Sequence, residues 1–166
     1  MSEKIKSKYA IPVIGMISSG KSTFLNSLLG LDLLETKDDV TTKFVCIIRH
    51  NKSLKEPKFY HIKLEEEENE NYSFIKDGEE YYGKEDILKR ISNINTDESK
   101  KEPDYKELFF VLETNITNIK NEEFLNNYDF YDVPGLNEED ENEEVEESNE
   151  NMRYIKGIFK YNKNKN

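Results

Sequence analysis

Eight consecutive residues, Gly15-Met16-Ile17-Ser18-Ser19-Gly20-Lys21-Ser22, spell G-x-x-x-x-G-K-S and restrict the folds open to this chain more than anything else in it. In such a loop the glycines let successive backbone N–H groups curl around a phosphate. The lysine ammonium reaches the β and γ oxygens, and the serine hydroxyl ligates Mg²⁺. A strand must precede the loop and a helix must follow it. Tyr9 to Ile14 reads as a buried strand, and Thr23 to Leu29 puts Phe24, Leu25, Leu28 and Leu29 on one helix face. Gly30 is placed to stop that helix. The letters alone also describe a glycine-serine turn, and it is the strand and helix in the required order that favour a phosphate site. Pro12 cannot donate to a central ladder, which predicts a bulge near the start of the strand.

The remaining chain has the size of one domain, 166 residues. Its 36% charged residues are concentrated in tracts, and the stretches between them are ordinary and rich in aromatics. A net charge of -11 with no long basic stripe excludes general nucleic-acid binding. The single cysteine, Cys46, lies in an apolar run and reads as a small buried hydrophobe in a reducing compartment. The N-terminal residues show neither an apolar signal region nor a lipidation pattern, and no apolar run reaches the length of about 18 residues that spans a membrane. A cytoplasmic location is expected.

Beyond the helix, 31–42 is a polar connection into a strand-like run, Lys43 to Arg49. Thr41 and Thr42 at its end suit two roles. They can close over Mg²⁺ and a γ-phosphate, as a threonine in this connection does in nucleotide switches, or they can simply open a β-strand. Lys58 to Leu64 and Tyr72 to Lys76 read as a hairpin with an acidic, solvated tip from Glu65 to Glu70. That tip lacks the alternating oxygen ligands and glycine of a calcium loop. His50 and His61 are far apart and read as structural or exposed. Ile87, Leu88, Ile91 and Ile94 predict an amphipathic helix between Gly83 and Asn95, followed by a loop from Thr96 to Asp104. Leu108 to Leu112 is a short apolar strand, with a turn region and Phe124-Leu125 after it.

Tyr128 to Gly135 reads as a strand ending in Asp132-x-x-Gly135. An aspartate at the carboxyl end of a parallel strand beside a phosphate loop can hold Mg²⁺ through water, while a glycine amide can bond the γ-phosphate. The same letters also make ordinary turns. Their place after the loop and the threonines favours the site.

Ser18 to Asn26, then Val40-Thr41-Thr42, then Asp132-Val-Pro-Gly135 after a long interval, resemble the dynamin-type GTPase family over about residues 10 to 136. The resemblance implies an α/β, three-layer P-loop NTPase fold of the G-domain kind, with GTP and Mg²⁺ as ligands. It further implies slow or assembly-stimulated hydrolysis, self-association through the G domain, and a role for the parent protein in membrane remodelling through parts outside this chain. It places Gly15, Ser18, Ser19, Gly20, Lys21, Ser22, Thr23 and Gly135 around the nucleotide, Ser22, Thr41 and Asp132 at the metal, and Lys21, Ser18 and Thr41 in the chemistry. Where the family often carries a glutamine that orients the attacking water this chain has Ile17, which cannot polarise water. Thr36-Lys37-Asp38-Asp39 imitates the guanine-reading motif in letters but stands before the second strand, where it is a decoy.

The expected division is a polar tail at 1–8, a partial G domain at 9–136, an acidic low-complexity segment at 137–151, and a short helix with a Lys/Asn tail at 152–166. With no base-reading motif after Gly135, the chain is expected to be the front half of a G domain whose sheet edge needs a partner. A base-indifferent P-loop protein and a non-hydrolysing interaction module are the alternatives.

Overall fold

The computed structural model describes residues 3–16, 18–34, 43–66, 72–97 and 105–134. Thr41, Thr42, Gly135, Ile17, the decoy at 36–39, most of the acidic tip, the loop at 98–104 and everything expected beyond residue 134 lie outside them.

The strands are β1 (Lys4–Ile5), β2 (Tyr9–Val13), β3 (Val45–His50), β4 (Lys58–Glu66), β5 (Tyr72–Tyr82), β6 (Phe109–Thr114) and β7 (Tyr128–Asp132). The helices are α1 (Lys21–Leu29), α2 (Lys84–Thr96) and α3 (Glu122–Asn127). Among the described residues the strands form one mixed sheet in the order β1-β5-β4-β6-β3-β7-β2. β2 runs parallel to β7 and β3 parallel to β6, while the β3–β7, β4–β6, β4–β5 and β1–β5 pairs are antiparallel.

Alternation along the strands creates two apolar faces. Phe44, Cys46, Ile48, Phe59, Phe110, Leu112 and Phe130 form one, joined by Leu25 and Leu29 of α1, Ile87 and Ile91 of α2 and Leu125 of α3. Val45, Ile47, Tyr60, Ile62, Leu64, Phe74, Phe109, Val111, Tyr131 and Val133 form the other. Thus all three described helices feed the same face, and the second helical layer of a three-layer fold is not among the described residues.

Several sequence expectations change in detail. The predicted tail is tied into the sheet, because Lys4 and Ile5 pair with Ile75 and Phe74. Glu3 C=O also accepts from Lys76 N–H at 2.9 Å. Pro12 produces no bulge: the β2–β7 register runs unbroken from Tyr9↔Tyr128 to Val13↔Asp132. β2 has one neighbour in this sheet, and an edge strand tolerates a missing donor. Phe24 is 55% exposed, so α1 buries Leu25 and Leu29 instead of all four apolar residues. The region expected as a turn contains α3, capped by the Asn121 side chain accepting from Phe124 N–H at 2.9 Å.

The second face holds a charged group at its heart. Asp129 is 0% exposed, and Arg49 grips it with Nη2–Oδ2 at 2.6 Å and Nε–Oδ1 at 3.1 Å. Lys8 Nζ stands 3.9 Å from the same carboxylate and donates to Leu125 C=O at 3.0 Å, too far to replace the guanidinium. A buried pair costs most when one partner is removed, because the other charge stays desolvated. Arg49→Met should therefore destabilise the fold by about 3 kcal/mol in urea denaturation, and adding Asp129→Leu should recover most of that loss. A single variant as stable as the parent would show that the carboxylate is not confined as described.

Candidate phosphate site

Register delivers the central geometry. β2 and β7 run parallel with Val13 opposite Asp132, so the chain leaves β2 into the glycine loop beside the carboxyl end of β7. Ligands of open α/β sheets bind beyond the carboxyl ends of parallel strands.

The loop itself is tightly turned. Ser19 N–H donates to Met16 C=O at 3.2 Å, Ser18 is left-handed at φ 59°, and Gly20 is left-handed at φ 82°. A Cβ built on Gly15 would stand 2.8 Å from Ser19 Oγ, so a side chain there would displace the Ser19 hydroxyl. Gly20 precedes α1 without contributing a side-chain cap, and the first turn carries no acidic residue. The helix N-terminus therefore keeps its orphan N–H groups and partial positive charge for an anion. Ser18, Ser19 and Gly20 are exposed, while Lys21 and Ser22 are partly buried at the start of α1. Thr23 follows on the exposed side.

Lys21 closes the site. Its Nζ stands 3.0 Å from Asp132 Oδ1, with both side chains largely buried. Among the described residues Oδ1 has no donor that meets hydrogen-bond geometry, so the ammonium faces it chiefly as an ion pair. Burial pushes the Asp132 carboxyl above its ordinary range, and the Lys21 charge only partly offsets this. Burial, followed by the Asp132 charge across the β3–β7 ladder, likewise raises the Cys46 thiol and keeps it protonated. A buried carboxylate oxygen short of donors, beside a cradle of backbone N–H groups, suits a divalent cation bound next to phosphate.

Of the residues singled out in the sequence, Gly15, Ser18, Ser19, Gly20, Lys21, Ser22, Thr23 and Asp132 fall at this end of the sheet, by virtue of the loop, the start of α1 and the β2–β7 register. Sequence reading passed over the anchoring role of Asn26. Its Oδ1 accepts from Leu34 N–H at 3.1 Å and its Nδ2 donates to Leu34 C=O at 3.0 Å, anchoring the connection that leaves α1. An asparagine one turn before a helix-stopping glycine was the available signal. The histidines are structural: His50 Nδ1 accepts from Ile116 N–H at 3.0 Å, and His61 lies between Asp77 and the Glu107 carbonyl. No cluster of three or more His, Cys, Asp or Glu suited to a metal occurs among the described residues.

A glycine loop leaving one strand, with its parallel neighbour ending in an aspartate that meets the loop lysine, defines the P-loop α/β class, of which this sheet is a part. The family model described as Dynamin family matches residues 11–164, and the chain belongs to the dynamin family. Two solved structures of an oligomerised bacterial dynamin pair, described as a mechanism for long-range sensing and tethering of membranes, are similar to it at 22% and 19% identity, each with a TM-score of 0.46. The alignments cover 78% and 93% of this chain but only 17% and 18% of theirs, so the chain spans less than a fifth of their length. No curated protein matches. No helix among the described residues is long and apolar enough to cross a membrane.

Because burial makes the charged Asp132 unfavourable, Asp132→Asn should leave the ligand-free fold as stable or up to about 1 kcal/mol more stable at neutral pH, while weakening Mg²⁺-dependent nucleotide binding at least tenfold. Thermal denaturation and nucleotide titration of the same variant read both effects. A clear loss of stability would mean that the Lys21 pair outweighs the desolvation.

Proposed function

We propose that this chain supplies the phosphate-binding part of a GTP site, and that the protein to which it belongs is a slow, Mg²⁺-dependent GTPase of the dynamin kind acting in membrane remodelling. The observation that carries this reading is the 3.0 Å approach of Lys21 to Asp132 at the shared end of β2 and β7. Gly15, Ser18, Ser19 and Gly20 offer backbone N–H groups to the phosphates, and Lys21 exchanges its contact with Asp132 for phosphate oxygens. Ser22 and Asp132, with Thr41, are the residues that would hold Mg²⁺, and Gly135 would meet the γ-phosphate. Bound Mg²⁺ supplies neutralisation of the phosphate charge. Ser18 and Thr41 orient the reacting groups, and Thr23 supports the nucleotide from the start of α1.

Ile17 favours a second reading, a module that binds nucleotide without turning it over, since an apolar side chain there cannot orient water. Family membership favours guanine, and self-association through the G domain, at a cytoplasmic membrane surface, belongs to the same proposal.

Competition of GTP against ATP for binding in the presence of Mg²⁺ tests the proposal, with Lys21→Ala as control. GTP should bind at least tenfold more tightly than ATP, and Lys21→Ala should abolish binding of both. Equal binding of the two would overturn guanine preference, and lysine-independent binding would place the nucleotide elsewhere.

A further inference from the structure

The two edges of the sheet belong to one short stretch of chain. β1 and β2 stand at opposite ends of the strand order, yet only Lys6, Ser7 and Lys8 separate Ile5 from Tyr9. Seven strands laid flat would put those edges about 29 Å apart at normal strand spacing. Four residue steps reach at most about 14 Å. The sheet must therefore roll until its edges approach each other, with residues 4–13 as the stave that both edges share.

The interior shows the closure. Ile5, paired to β5, and Ala10, paired to β7, pack against the same apolar cluster. Residues 6–8 run between the two strands without a turn or bend, so the connection is already extended. Its β1 end is fastened: Glu3 C=O accepts from Lys76 N–H at 2.9 Å, and Lys4 and Ile5 pair with Ile75 and Phe74.

β2 has need of a second fastening, because one ladder alone holds it. That ladder to β7 has five residue pairs, Pro12 has no N–H to give it, and Ile11 and Val13 are only partly buried. A slip of β2 by two residues would keep every side chain on its own face, so alternation does not forbid it. Such a slip would carry Val13 about 7 Å from Asp132 and take the loop and Lys21 with it. An extended three-residue connection has no 7 Å to release toward the loop. The Lys8 side chain also reaches Leu125 C=O, but a flexible stem follows a shift where a taut backbone does not.

We propose that β1 and its connection are a register clamp: by closing the rolled sheet on β5, they fix β2 against β7 and keep Lys21 beside Asp132. The clamp's effect on nucleotide rests on the phosphate site proposed above, whereas its effect on strand register does not.

Inserting four glycines between Ser7 and Lys8 of the full chain slackens the connection and leaves both strands intact. Lengthening a loop costs little, so the urea midpoint should move by less than about 0.5 M. The β2 amides bonded to β7 should nevertheless exchange hydrogen at least tenfold faster, and Mg²⁺-GTP should bind at least tenfold more weakly. Ile5→Glu, which puts a charge where Ile5 meets the interior and lifts β1 from β5, should have the same two effects with the connection at its native length. Combined with the insertion it should add nothing, since a released clamp cannot be released twice, whereas independent losses of packing would add. A folded insertion variant with parental exchange and affinity overturns the clamp, and so do additive losses in the double variant. If the parent chain binds no Mg²⁺-GTP, the phosphate site is refuted and the exchange rates alone decide the clamp.

Discussion

Lys21 and Asp132 meet because two strands run parallel in one register, and the rest of the site depends on that meeting. If β7 slipped by one residue along β2, alternation would turn Asp132 to the opposite face and bring Tyr131 or Val133 beside the loop. The buried aromatic side chains of β7 hold the register: Phe130 belongs to the helix-covered face and Tyr131 to the other. Core packing therefore sets the position of a carboxylate whose charge the core itself disfavours.

β7 carries two buried aspartates with opposite characters. Asp129, at its start, faces the second apolar cluster and is gripped by Arg49, so it serves the fold. Asp132, at its end, faces α1, has Lys21 as its counter-charge, and retains an oxygen short of donors. A satisfied buried ion is structural, whereas an under-satisfied one beside exposed helix N–H groups holds binding capacity in reserve. Three residues along one strand separate the two roles.

Much of this was legible in the sequence because local rules decide it. The phosphate loop, the strands at β2, β3, β4, β6 and β7, and the α2 helix follow from periodicity and glycine placement. The resemblance to dynamin-type GTPases rested on three motifs in order, and the family match over 11–164 agrees with it. What escaped was non-local. Lys4 and Ile5 look like a polar tail until the far edge of β5 is there to pair with them. The exposure of Phe24 is set by which side of α1 meets the sheet, and α3 is too short for its pattern to stand out from a turn. Gly78 lies at a bulge inside one long strand, an arrangement that depends on the β4–β5 pairing and brings Arg90, Tyr81 and Phe110 around a common space.

The most direct test of the central claim is an amide correlation NMR titration of the folded chain with Mg²⁺ and GTP. The parallel β2–β7 register and the Lys21–Asp132 pair predict that the largest shifts fall on Gly15, Ser18 to Ser22 and Asp132, with Gly78 and Arg90 unmoved. Shifts concentrated away from the loop, or none at millimolar nucleotide, would contradict the assignment of this strand end as the phosphate site.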